Sequence, residues 1–199
     1  LLMSSRFKSS QLCCNSLEVE FQDSLKFLTA ENIKAFVDKD YGVYIGQRLD
    51  SIDLSAIENK LSARSAISKS QAWTTRDGVL HVSIMQRAPQ LRFASGEDKG
   101  FYCDAEGYIF PLHSRYTAPV RVIEGAFPIA EGSGFQGFAR TEEQRAWIAD
   151  MLALDEAIRD SRSFRNLISQ VVINDDGDIT LRVKGHDERF ILGSAQDFD

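Results

Sequence analysis

Residues 67–87 read ISKSQAWTTRDGVLHVSIMQR, and the Asp77-Gly78 step between two extended runs decides the fold. Asp-Gly takes up the left-handed backbone that a tight hairpin needs, so 67–75 and 79–87 are read as antiparallel strands. With Asp77 and Gly78 as the two loop residues, Trp73 lies opposite Val82. Leu80, Val82 and Ile84 then share the buried face, while His81, Ser83 and Met85 point away from it. Pro89, with no N–H, stops the ladder. Upstream, residues 17–21 (LEVEF) alternate strictly and read as a half-buried strand. Thr29 caps a helix that carries Ile33, Phe36 and Val37 on one face. After a connector at 41–52 with Gly42 and Gly46, Leu54, Ile57 and Leu61 mark a second helix. Its N-cap is Asp53, with the capping box of Ser55 and Glu58 as the alternative. The first module is thus β-α-α-β-β.

Beyond Pro89 the pattern changes character. A strand is expected at 91–94, then a hairpin of 101–103 with 108–110 across Asp104-Ala105-Glu106-Gly107, and a strand at 120–123 closed by Glu124-Gly125. Residues 126–140 are read as loop. Thr141 and Gln144 form a capping box for the longest helix, whose Trp147, Ile148, Met151, Leu154, Asp155 and Ile158 make one mainly apolar stripe. Three strands follow as a meander at 168–173, 179–183 and 189–192, separated by Asp175-Asp176-Gly177 and Gly185-His186-Asp187. The fold class is α+β: a β-α-α-β-β module followed by a mainly antiparallel β-domain carrying one long helix.

The composition narrows the function. With 43% hydrophobic residues among 199, the chain can bury a real core. Its 23 basic residues are scattered and outnumbered by 29 acidic ones, which disfavours nucleic acid as a partner. Cys13, Cys14 and Cys103 offer no metal-ligand spacing. They are read as three free thiols, with a Cys14–Cys103 bridge conceivable in an oxidising compartment. No run is long enough to cross a bilayer. Leu1-Leu2-Met3, followed by Ser, Arg and Lys, reads either as the last apolar residues of an anchor or as an ordinary chain end.

Three patterns could carry chemistry. Residues 132–137 (GSGFQG) match G-x-G-x-x-G, but a dinucleotide loop follows a buried strand directly and opens its helix, whereas here the helix cap comes at Thr141. Residues 174–178 (NDDGD) lack the ligand spacing of a calcium loop, with Val172 where an acidic ligand belongs, and read as a β-turn. His81, His113 and His186 lie in different elements without a nucleophile motif. No cofactor, metal or catalytic residue is expected.

The order of elements resembles that of the FtsQ/DivIB cell-division proteins, in a form like that of Bacteroidetes-type bacteria. The first module, ending in Gln86-Arg87-Ala88-Pro89, resembles a POTRA domain followed by that family's E/Q-R-x-P segment. Residues 101–110 (FYCDAEGYIF) resemble its next strand pair, Val120 to Gly125 its following strand and turn, and Asp176-Gly177-Asp178-Ile179 with Phe190-Ile191-Leu192-Gly193 its late meander. The resemblance implies a juxtamembrane segment at 1–16, a POTRA domain at 17–88 and a β-domain at 89–199 that lacks the family's last helix and strand. It also implies a single-pass inner-membrane protein, anchored ahead of this chain, whose periplasmic part scaffolds the divisome. The partners would be membrane proteins of FtsB and FtsL type, bound by β-augmentation, with Val171, Ile173, Phe190 and Leu192 as candidate partner-binding residues. The alternative is a POTRA-bearing outer-membrane assembly or secretion factor that binds unfolded β-strands.

Overall fold

The computed structural model describes residues 12–96, 99–129, 134–185 and 189–194. It divides between Arg87 and Ala88 into two compact units. In the first unit, β1 (Ser16–Phe21), α1 (Ala30–Asp40), α2 (Leu54–Ser62), β2 (Ile67–Thr74) and β3 (Val79–Gln86) follow in chain order. The sheet runs β1-β3-β2, with β1 parallel and β2 antiparallel to the central β3. Both helices start where expected. Thr29 closes a capping box with Asn32, and Asp53 accepts the Ala56 N–H. Their apolar faces bury Ile33, Val37, Ile57 and Leu61, and Leu80, Val82 and Ile84 of β3 are fully buried. The segment read as juxtamembrane is structured from Leu12 on: the Cys14 N–H donates to the Gln47 carbonyl at 2.8 Å, and the Cys14 side chain is buried.

The hairpin register differs from expectation by one residue. Trp73 stands opposite His81, and Val82 opposite Ala72. The Thr75 N–H donates to the Val79 carbonyl and the Gly78 N–H to the Thr75 carbonyl, so Arg76, Asp77 and Gly78 form a three-residue loop. Gly78 holds φ +90°, the left-handed closing residue of such loops. The outward face then gains a stacked Trp73–His81 pair with ring centroids 5.1 Å apart.

The end of β3 carries the most densely bonded side chain of this unit. Gln86 is 2% exposed. Its amide donates to the Asp23 carboxylate (2.8 Å) and the Leu25 carbonyl (2.7 Å), and its Oε1 accepts from the Leu28 N–H (2.9 Å). Arg87 donates from Nε to the Ser65 carbonyl at 3.0 Å. Buried amides without partners are costly, so these two side chains tie the loop after β1 and the turn before β2 to the strand between them.

The second unit contains β4 (Pro89–Ala94), β5 (Gly100–Asp104), β6 (Tyr108–Pro111), β7 (Arg121–Gly125), β8 (Gly137–Phe138), α3 (Glu142–Asp160), β9 (Ile168–Ile173), β10 (Asp178–Val183) and β11 (Arg189–Ser194). They form one sheet in the order β11-β10-β9-β7-β4-β5-β6-β8. The β4–β7 and β7–β9 pairs are parallel and the other pairs antiparallel. β4 lies inside the sheet, and each later strand joins outside those before it. β8 corrects the reading of 126–140 as loop throughout: Gly137 and Phe138 pair with Ile109 and Tyr108. A two-residue strand that begins on a glycine is too short a run for alternation to show.

α3 is the parallel crossover between β7 and β9. Its Ile148, Met151 and Ile158 pack on Leu91, Phe93, Ile123, Val171, Ile173, Ile179 and Leu181. Asp155, expected within the apolar stripe, is a buried charge at 3% exposure. It accepts from Arg121 Nε (2.8 Å), Arg159 Nε (3.1 Å) and Gln90 Nε2 (2.6 Å). Arg121 also donates to the Ile168 carbonyl, so one carboxylate pins the helix to β4, β7 and the start of β9. Cysteines 13, 14 and 103 are free thiols.

Candidate partner-binding edge

The meander β9–β10–β11 ends the sheet. Its first turn is tight: the Asn174 N–H donates to the Asp178 carbonyl at 2.9 Å and the Gly177 N–H to the Asn174 carbonyl at 3.0 Å. β10 pairs with β9 on one side and with β11 on the other, through Leu181 opposite Val171 and Phe190 opposite Leu181. Among the described residues nothing pairs with the far side of β11. Its backbone groups there are open to a further strand.

The four side chains expected to line a partner site fall into two places. Val171 and Ile173 stand two strands inside the edge and are 1% and 3% exposed, facing α3. Phe190 and Leu192 lie on β11 itself. Phe190 is 44% exposed, and Leu192 is partly buried against the core. Ile191, on the opposite face of β11, is more open still at 66%.

One further apolar side chain, Phe164, joins this edge from the segment between α3 and β9, and the exposed Leu167 lies in the same segment. Phe164 packs edge-on against Phe190, with centroids 5.7 Å apart, and both Phe164 and Leu167 are exposed. The turn that holds them is fixed at both ends. The Phe164 N–H donates to Ser161 Oγ, the Ile168 N–H to the Phe164 carbonyl (2.9 Å) and the Lys184 N–H to the Leu167 carbonyl (2.7 Å). The sequence signal for these residues is faint: two apolar side chains in an otherwise polar SRSFRNL connector, off the helical stripe.

β2, one of the two edge strands of the first sheet, is treated differently. Glu58 of α2 reaches over it and accepts the Ala72 N–H at 2.8 Å, and Ser70 Oγ donates to the Glu58 carbonyl at 2.9 Å. An outward-facing backbone donor of β2 is therefore already occupied.

The motif residues quoted from the sequence have structural work in this frame. Asp104 accepts the N–H groups of Glu106 (3.0 Å) and Tyr108 (2.9 Å), which closes the Asp-x-x-Gly turn. Gly125 has φ +96°, and a Cβ there would lie 2.0 Å from the Ile173 carbonyl oxygen, so only glycine allows β7 to end against β9. In comparisons with known proteins, residues 12–85 match a POTRA-like domain, and residues 88–199 match the FtsQ/DivIB C-terminal related domain. The chain belongs to the FtsQ/DivIB-related family. No curated relative matches the chain.

Within an FtsQ/DivIB-related protein the remaining chemical candidates have plain roles. The family is one of non-enzymatic division scaffolds. Burial pushes the Cys103 thiol up to about 12, with Asp104 adding to the shift, so this thiol stays protonated and inert at neutral pH. His81 is held in its stack with Trp73 and against Thr75 Oγ1 at 3.0 Å. Gly132 and Ser133 of the G-x-G-x-x-G run lie outside the described residues, as does His186, and α3 opens only at Glu142 behind Thr141. The acidic turn 174–178 closes by backbone bonds, and no group of three metal-ligating side chains occurs among the described residues. No helix among them is long and apolar enough to cross a membrane. Residues 1–11 lie outside the described part.

Proposed function

We propose that this chain is the periplasmic part of a single-pass inner-membrane division protein, and that it holds divisome membrane proteins of FtsB and FtsL type by accepting a strand at β11. Family membership supports the division role. The open, aromatic-flanked edge is the observation that carries the binding mode. A partner strand laid beside β11 would gain backbone hydrogen bonds along its length, and its alternate side chains would meet Phe190 with Phe164 on one face and Ile191 on the other. Leu192 fills the step from edge to core. Val171 and Ile173 contribute as the packed floor that keeps β10 and β11 flat against α3.

The catalytic contribution of the chain is none in this reading, and the energy of the complex comes from strand pairing and apolar burial. The test is to mix the chain with soluble FtsB-like and FtsL-like segments and to follow amide exchange. New protection should appear in residues 178–194. Protection confined to residues 29–63, or no binding, would show that the edge or the partner class is wrong.

A further inference from the structure

On the face of the second sheet away from α3, Val122, Arg92, Tyr102 and Phe110 form one cross-strand row over β7, β4, β5 and β6. The segment after β6 folds back over the aromatic end of this row, where the Tyr102 hydroxyl accepts the Ala118 N–H at 3.0 Å. Between that segment and the sheet lies a cavity of about 390 Å³ lined by Arg92, Tyr102, Leu112, His113, Ser114 and Thr117. That is within the range of small-ligand sites, roughly 300–1,000 Å³.

Arg92 is the unusual member. Its Nε is fully buried and has no hydrogen-bond partner, and among the described residues no ion pair reaches its guanidinium. A guanidinium cannot shed its charge, so a buried donor left in this state is destabilising unless something fills it. Two carboxylates of the described residues are otherwise placed. Asp104 is turned to the N–H groups of its own turn, and Glu124, one step along β7 on the same face, makes no ion pair with Arg92. Arg115 adds a second positive charge beside His113, whose pKa is lowered by burial and by that arginine. The hydroxyls of Ser114 and Thr117 supply further donors at the mouth. The guanidinium and the Ser114 and Thr117 hydroxyls can all donate to a ligand here, and the fixed charge is positive.

We infer that this cavity binds a small oxyanion, a carboxylate or a phosphate, held by the Arg92 guanidinium with the Ser114 and Thr117 hydroxyls beside it. A planar guanidinium matches the two oxygens of either group in a single fork. The site is separate from the β11 edge and stands whether or not that edge takes a partner strand.

Arginine Nε–Hε resonances of the full chain test this directly, titrated with inorganic phosphate, with acetate and with chloride at matched ionic strength. The Arg92 Nε–Hε signal should shift saturably with phosphate or with acetate and not with chloride. Response to one alone identifies that source. Arg92→Gln should weaken the saturation by at least about tenfold while the thermal midpoint holds, as expected for loss of a charge-assisted pair. Arg92→Lys should fall between the two, because it keeps the charge and loses the fork. If Arg92→Gln does not fold, the double change Ser114→Ala with Thr117→Ala, at exposed positions, should weaken binding by about threefold. An equal response to all three anions, an Nε–Hε group that exchanges only with water whatever the anion, or undiminished binding by Arg92→Gln would overturn the proposal.

Discussion

Of the edge strands, β1 and β2 in the first sheet and β8 and β11 in the second, β2 and β11 are treated in opposite ways among the described residues. Glu58 and Ser70 tie β2 to α2, so that an outward N–H of β2 is spent within its own unit. Among the described residues nothing pairs with the outer side of β11, and Phe164, Phe190 and Ile191 beside it are exposed. An open edge beside an apolar patch is an aggregation hazard, and sequences normally blunt it with charge, proline or a covering side chain. Among the described residues that remedy is found at β2 and not at β11. This contrast is what makes β11 the candidate edge.

The largest expected effect removes the support of the β11 edge altogether. Asp155→Ala leaves Arg121 buried without its carboxylate, and breaking one side of such a pair costs about 3–5 kcal/mol. The chain has two tryptophans, Trp73 in the first unit and Trp147 in the second, so urea unfolding of a Trp73→Phe background isolates the response of the second unit. The Trp147 transition should move to markedly lower urea. A Trp73 transition that moved equally, in the otherwise native chain, would mean that the units do not unfold separately.

Gly125→Ala acts at the junction of β7 and β9. The positive φ alone costs about 1–3 kcal/mol for a residue with a side chain, and the clash with the Ile173 carbonyl adds to it. The same urea experiment should show a loss smaller than or comparable to that of Asp155→Ala, with reduced amide protection in β9 and β10.

Glu58→Ala uncovers β2 and should cost about 1 kcal/mol, the ordinary worth of one lost hydrogen bond. Its sharper consequence is new self-association through the first unit, visible as concentration-dependent sedimentation. Unchanged sedimentation would show that Glu58 contributes a bond and no protection, which would break the contrast.

Phe190→Asp is the smallest change in stability and the most telling in binding. At an exposed edge position it should alter stability by no more than about 0.5 kcal/mol. Affinity for an FtsB-like or FtsL-like segment should fall at least about tenfold, because a charge replaces an apolar anchor at the centre of the patch. Full affinity in this variant would move the partner site off β11.

The sequence made most of the scaffold legible because its signals were local. Thr29 with Asn32 and Thr141 with Gln144 are caps whose partners lie three residues away, and Leu80, Val82 and Ile84 alternate within one strand. The hairpin register escaped by one residue because Asp-Gly serves both two-residue loops and the three-residue loop found here, and only the Thr75–Val79 pairing tells them apart. The candidate site was half legible. Strand pattern placed Phe190 and Leu192 on the last strand, but it gave Val171 and Ile173 the same weight, since an alternating apolar strand looks alike inside a sheet and at its rim. Depth in a sheet depends on strand order, which here includes two parallel steps that no local pattern announces. Phe164 was missed for the same reason: its meeting with Phe190 is a property of the crossover, not of the connector's own sequence. Asp155 was visible as a residue but not as a charge with three donors drawn from other elements.

The order of the second sheet also bears on how it is made. Because β4 lies inside and each later strand joins at an outer side, a chain emerging from its N-terminus never has to force a strand between two that are already paired. Growth can proceed by successive capture, as domains form from the N-terminal side during synthesis at about 5–20 residues per second. At every stage the newest edge waits for the next segment to arrive. β11 is the last edge in that series among the described residues, so a partner strand would be received by the same step that β10 used to receive β11, supplied by another polypeptide.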